Sequence, residues 1–183
     1  MTGKGLIEMA WTFSLSAECG AEQVAADQFA KHFDDLSWVL SNGNQSQCHT
    51  AVFQDIEENW WCQVLPSGIS EVGIDASDIA YQMTELGILL YQRLQSAPPF
   101  RYALVGVEAD EFRSYSELIA EIPATSFPGL VLAETVWRSL GTSTLLRPFS
   151  PGYVWHPYEG EVYKPLMVSP DLKNKLNELL ILT

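Results

Sequence analysis

The chain has 183 residues, of which 47% are hydrophobic and 11% aromatic, so it contains ample material for a packed core. Its 23 acidic and 10 basic residues give a net charge of −13. This charge argues against a nucleic-acid-binding protein, which needs clustered Lys and Arg, and against docking on an anionic membrane. No apolar run approaches the roughly 20 residues of a membrane helix, and no secretory signal pattern is present. We therefore expect a cytoplasmic protein.

The first third of the chain predicts a strand, a helix and a hairpin. Apolar and polar residues alternate over 7–16, which predicts a strand with one face in the core and the other facing solvent or lighter packing. Apolar residues at three- and four-residue steps predict an amphipathic helix over 24–36. A short strand over 38–40 is followed by two strands, 48–56 and 60–65, joined by a tight turn.

The middle of the chain contains its longest predicted helix. This helix runs over 75–97, with Asp75 as its N-cap and two prolines at its end, and residues 69–74 before it are predicted as an edge strand. A strand that is apolar on both faces follows over 100–109, as expected at the centre of a sheet. The capping-box pattern Ser114–Glu117 then predicts the start of a short helix.

The C-terminal part, from residue 129 onward, differs from the rest of the chain in its predicted structure. Residues 129–140 fit a short buried strand or a helix, with a helix favoured for the later part. Four prolines alternate with five aromatic residues over 147–165, which predicts an extended segment on the domain surface with a short hairpin around 159–160. Residues 169–171 predict the start of a last helix. Its apolar end, 179–183, is expected to dock on its own domain or to form a homodimer.

Together the elements predict a single α+β domain, 1–183, with a mostly antiparallel sheet and helices packed on one face. Residues 1–110 form the predicted α+β core. Residues 111–183 form a helical and extended, aromatic- and proline-rich C-terminal extension.

Motifs that carry chemistry are scarce. The chain has no phosphate-binding glycine pattern, no G-x-S-x-G and no H-E-x-x-H, and no cofactor is predicted. The carboxylates of Glu108–Glu111 follow the central strand and are candidate ligands for a divalent cation. Cys48 or Cys62 with a histidine is a candidate nucleophile, although adjacent strand residues such as Cys48 and His49 point to opposite faces. A small enzyme is therefore the alternative interpretation.

The distribution of acidic residues is the most distinctive feature. Between residues 32 and 92 there are nine acids and no Lys or Arg, which accounts for −9 of the net charge of −13 and predicts a negative potential on one side of the fold. Such fields speed association with basic partners. The candidate interaction residues are the acids Asp55, Glu57, Glu58, Asp75, Asp78 and Glu85, together with the aromatic residues Tyr153, Trp155 and Tyr158.

The sequence therefore favours a non-enzymatic interaction module, of the inhibitor, adaptor or immunity type, that binds a basic protein through an acidic face. Two simpler roles stay open for the same residues. The acids also promote solubility, and the aromatic residues also serve to cover the core of their own domain.

Overall fold

The computed structural model describes residues 12–69, 74, 76–109, 112–122, 127–141 and 146–161. These residues form one eight-stranded sheet and four helices. The strands are β1 (Phe13–Glu18), β2 (Ser37–Val39), β3 (Gln45–Gln54), β4 (Trp60–Pro66), β5 (Tyr102–Val107), β6 (Val131–Ala133), β7 (Arg147–Ser150) and β8 (Tyr153–Trp155). The helices are α1 (Gln23–Phe33), α2 (Ser77–Leu94), α3 (Tyr115–Glu121) and α4 (Glu134–Leu140).

The strand order is β2-β3-β4-β1-β5-β6-β8-β7, and every neighbouring pair is antiparallel. β1 lies in the middle, where Leu15 is opposite Val64 on one side and Val105 on the other. The predicted α+β architecture with an antiparallel sheet is confirmed.

Helices cover both faces of this sheet. The long helices α1 and α2 lie on the face that carries Leu15, and their side chains Phe29 and Met83 are fully buried against it. The seven-residue helices α3 and α4 lie on the opposite face, where Leu118 and Val136 belong to a second core. The prediction of helices on one face thus holds for the long helices, and the short ones add a third layer over part of the sheet.

The C-terminal segment joins the same sheet, since β5 pairs with β6 and β6 with β8. Residues 129–140 contain both predicted alternatives in succession, β6 and then α4. The hairpin that the structure describes in this segment turns at 151–152, residues 156–161 are not in a strand, and the residues after 161 that a hairpin around 159–160 would need lie outside the described range. Pro148 is tolerated because β7 is an edge strand, where one side of the backbone needs no ladder hydrogen bond.

Several predicted features lie outside the described residues: the beginning of the first strand (1–11), most of 69–74, Asp75, Asp110, Glu111, and the last helix with its tail at 179–183. The boundary between a core and an extension at residue 110 stays a prediction. Among the helices that the structure describes, none combines the length and apolarity needed to cross a membrane.

Candidate functional site

β3 alternates between a packed and an uncovered side. Its even-numbered residues point towards α1, with Ser46 and Cys48 buried. Its odd-numbered residues point the other way and are all exposed, because α3 and α4 pack on β5, β6 and β8 instead. We call the exposed side chains of β2 and β3 on this side the open face: Ser37, Val39, Gln45, Gln47, His49, Ala51 and Phe53.

The open face has an apolar component and acidic borders. Val39 is 68% exposed and Phe53 is 36% exposed. At one end the Asp35 carboxylate accepts a hydrogen bond from the Gln47 amide at 3.2 Å. At the other end lies the β3–β4 turn with its three acids at 55, 57 and 58. Since β2, β3 and β4 lie within the segment without Lys or Arg, these strands supply no cationic side chain apart from histidine.

Asp55 shapes the β3–β4 turn. One carboxylate oxygen accepts hydrogen bonds from the backbone N–H groups of Glu57 and Asn59, both at 2.9 Å. The other oxygen accepts a hydrogen bond from the indole N–H of Trp61 at 2.8 Å. This predicted interaction residue therefore has a clear role within the fold.

Glu57 links the same turn to α3. Its carboxylate accepts hydrogen bonds from the Ser114 hydroxyl at 2.7 Å and from the Ser116 N–H at 3.3 Å. The Ser114 hydrogen bond lowers the pKa of Glu57, which keeps this carboxyl ionised. Glu58 is exposed and has a φ of 61°, a left-handed conformation at the tip of the turn.

Two further predicted acids, Asp78 and Glu85, belong to α2. Asp78 is exposed in the first turn of α2, and Glu85 accepts hydrogen bonds from the Ser41 N–H and hydroxyl at 2.9 and 2.8 Å. α2 and the Glu57–Ser114 contact belong to opposite faces of the sheet, so these acids come from both faces, and the negative potential expected on one side of the fold stays a prediction.

The predicted aromatic residues make contacts within the chain. Tyr153 stacks on Phe100 with ring centroids 4.4 Å apart. Tyr158 is buried, and its hydroxyl donates a hydrogen bond to the Glu161 carboxylate at 2.9 Å. Trp155 is half-buried and contacts Tyr91 at 5.3 Å. These contacts agree with the simpler role given for the aromatic residues of 147–165, which is to cover the core of their own domain.

A pocket opens between the C-terminal half of α2 and the β7–β8 hairpin. Its volume is about 240 Å³. Its walls and rim include Tyr91, Gln92, Gln95, Phe149, Trp155 and Tyr158. It is separate from the open face, because α2 lies on the other side of the sheet.

A buried ion pair on the polar side of β1 was not predicted. Glu18 is fully buried, pairs with Arg101, and accepts a hydrogen bond from the Gly20 N–H at 2.6 Å. Burial raises the pKa of Glu18, and the hydrogen bond from Arg101 opposes that shift. The Arg101 guanidinium also lies 4.0 Å from the centroid of the Tyr115 ring. Ser14 and Ser16 are buried on the same side, so of the two expectations for this face of β1, solvent or lighter packing, the structure excludes solvent.

The structure weakens the nucleophile interpretation. All three cysteines are buried, and burial raises the pKa of the Cys48 and Cys62 thiols to about 12. Cys48 points into the core while His49 is exposed, as their adjacent positions predict. Within the described ranges no three His, Cys, Asp or Glu side chains are placed to hold a metal ion. Of the carboxylates of Glu108–Glu111, the structure describes Glu108, which is exposed.

Sequence reasoning missed the open face and the pocket. For the open face, the sequence contained one indication: amide and small residues alternate along β3, and the strand has no Asp, Glu, Lys or Arg. The pocket had another, Gly87 in the middle of a helix, since an interior glycine costs stability unless close packing requires it.

No family model, curated protein or solved structure matches this chain.

Proposed function

We propose that this protein is a non-catalytic interaction module, of the inhibitor, adaptor or immunity type, that binds a basic protein through the open face and its acidic borders. The observation that supports this most is the exposure of all five odd-numbered side chains of β3. A sheet face is ordinarily covered or strongly polar, and here Val39 and Phe53 lie among uncharged amides.

Charge selects the kind of partner. The acids at both ends of the open face, Asp35 on one side and Glu57 and Glu58 on the other, would face a bound protein with negative potential. The segment from 32 to 92 contributes no Lys or Arg to offset them. A basic partner is therefore attracted and an acidic one repelled, mainly through the association rate.

The apolar side chains supply the second component of binding. Interfaces combine a desolvated apolar centre with a polar rim. Phe53 is stacked parallel to Trp61, with ring centroids 6.3 Å apart, which gives it a fixed position on the surface. The open face thus offers an ordered aromatic contact near the acidic turn.

A pair of charge-matched variants tests the proposal. Gln47→Lys with Glu58→Lys changes two exposed residues, one on the open face and one in its acidic border. Gln28→Lys with Glu22→Lys makes the same chemical change at two exposed positions, one in α1 and one directly before it. Each purified full chain is used to capture proteins from native lysate at low salt and at about 0.5 M salt, where surface electrostatics are screened within about 4 Å, followed by mass spectrometry.

We expect a partner with a pI above about 9 that is captured at low salt by the wild type and by the α1 variant. The open-face variant should lose it, and high salt should reduce it. Equal capture by both variants, or no specific partner for the wild type, would overturn the proposal.

A further inference from the structure

The pocket beside α2 has the size of a small ring system. Its volume of about 240 Å³ exceeds the roughly 150 Å³ of an apolar cavity that accommodates benzene. It is smaller than the roughly 300–1,000 Å³ of pockets for drug-sized ligands. One ring, or two fused rings, therefore fits.

The walls of this pocket are aromatic. Trp155 lies 5.0 Å from Phe149 and 5.3 Å from Tyr91, and Tyr91 lies 5.0 Å from Tyr158, all between ring centroids. These distances and the inclined ring planes are those of favourable aromatic pairs. A planar guest ring can add to such a cluster with the same geometry.

Hydrogen bonds to residues outside the pocket lining hold Tyr91 and Tyr158 in place. The Tyr91 hydroxyl donates to the Gly129 carbonyl at 2.7 Å and accepts from the Val105 N–H at 3.1 Å. The Tyr158 hydroxyl donates to Glu161 at 2.9 Å. Because both hydroxyls already have partners within the fold, these walls present mainly their ring surfaces to a guest.

The polar groups of the pocket are uncharged. Gln92 and Gln95 are exposed at its rim, and within the described part of the chain their side-chain amides have no hydrogen-bond partner. Among the residues that the structure describes, no Asp, Glu, Lys, Arg or His belongs to the lining. A charged ligand would lose its hydration here without gaining a counter-charge.

We propose that this pocket is a binding site for a neutral, planar molecule of one or two rings whose polar group hydrogen-bonds to Gln92 or Gln95. The site is independent of the open face and of the interaction proposed for it.

Three probes of similar size test the chemistry of the site. Benzamide is neutral and planar, benzoate has nearly the same shape with a negative charge, and cyclohexanecarboxamide has the same polar group on a non-planar ring. Binding of each to the full chain is measured by ligand-observed NMR and calorimetry. We expect saturable binding of benzamide, and binding of the other two that is weaker by about tenfold or more because charge is desolvated or ring contacts are lost.

Variants tie the binding to the pocket. Gln92→Trp places a large side chain at the rim and should weaken benzamide binding by about tenfold, since it fills the space. Gln28→Trp makes the same change at an exposed position of α1 and should leave binding unchanged. Trp155→Leu keeps an apolar wall but removes a ring, and should also weaken binding.

Circular dichroism establishes that each variant is folded. The proposal is overturned if benzamide shows no saturable binding, if the three probes bind equally, or if Gln92→Trp and Gln28→Trp behave alike.

Discussion

Gly87, in the middle of α2, lies directly against Tyr158: a Cβ atom added at Gly87 would be 2.6 Å from the tyrosine hydroxyl oxygen. Alanine is ordinarily preferred to glycine inside a helix by about 1 kcal/mol. Here the added methyl group would have to displace a buried ring that is anchored to Glu161. We expect Gly87→Ala to lower the free energy of unfolding by about 1–3 kcal/mol, measured by urea denaturation.

Gly106→Ala is the matched control for that prediction. A Cβ atom at Gly106 would lie 3.6 Å from a Glu161 carboxylate oxygen, an ordinary contact. Its effect on stability should be much smaller. If Gly87→Ala stabilises the protein as a helix propensity scale predicts, the close approach of Tyr158 is not a constraint.

The Glu18–Arg101 pair should matter more than an exposed ion pair. Arg101→Met leaves the fully buried Glu18 carboxylate without its charged partner. Because Arg101 is 32% exposed and partly screened by water, we expect a loss of about 2–3 kcal/mol in the free energy of unfolding. Arg138→Met breaks the exposed pair with Glu134 and should cost less than about 1 kcal/mol. Equal losses in the two variants would show that burial of Glu18 is unimportant.

Glu161 should make stability depend on pH. Burial raises the pKa of Glu161 from 4.5 to about 7. The folded state therefore holds this proton more tightly than the unfolded state, and protonation stabilises the fold. That contribution is fully present below pH 4.5 and is lost as the pH rises through about 7.

The pH dependence is measured by urea denaturation of the wild type and of Glu161→Gln across this window. Stability of the wild type should fall more than that of the variant, by on the order of 3 kcal/mol. Glu159→Gln changes an exposed neighbour and should keep the wild-type slope. Parallel curves for the wild type and Glu161→Gln would contradict a raised pKa at Glu161.

The cysteines should be inert in the native protein. Burial raises the pKa of all three thiols, so the reactive thiolate is scarce at neutral pH. Titration with a thiol reagent should label none of them rapidly in buffer and all of them in denaturant. Rapid labelling of Cys48 or Cys62 in the native state would revive the nucleophile interpretation.

Local patterns predicted much of this fold. The apolar stripe of α2 and the capping box at Ser114 and Glu117 involve residues a few positions apart, and the structure contains both. The alternation that separates Cys48 from His49 is equally local, and it holds in β3. Such signals depend on the geometry of a single element, so a sequence displays them directly.

The Glu18–Arg101 pair, the pocket and the open face depend on contacts between segments that are far apart in the sequence. Glu18 and Arg101 are 83 residues apart, and nothing near either residue indicates the pairing. The pocket needs α2 beside β7 and β8, and the open face exists because α3 and α4 cover other strands. These arrangements follow from the order of strands in the sheet, which periodicity does not reveal.

The alternation along β3 has an evolutionary consequence. Even-numbered residues such as Cys48 are constrained by the core, whereas odd-numbered residues such as His49 contact mainly water. Substitutions at such surface positions usually change stability by no more than about 0.5 kcal/mol. Positions of the first kind must fit the core, whereas positions of the second kind can change with little effect on stability. If the open face binds a partner, its preference could therefore change by substitution while the fold stays the same.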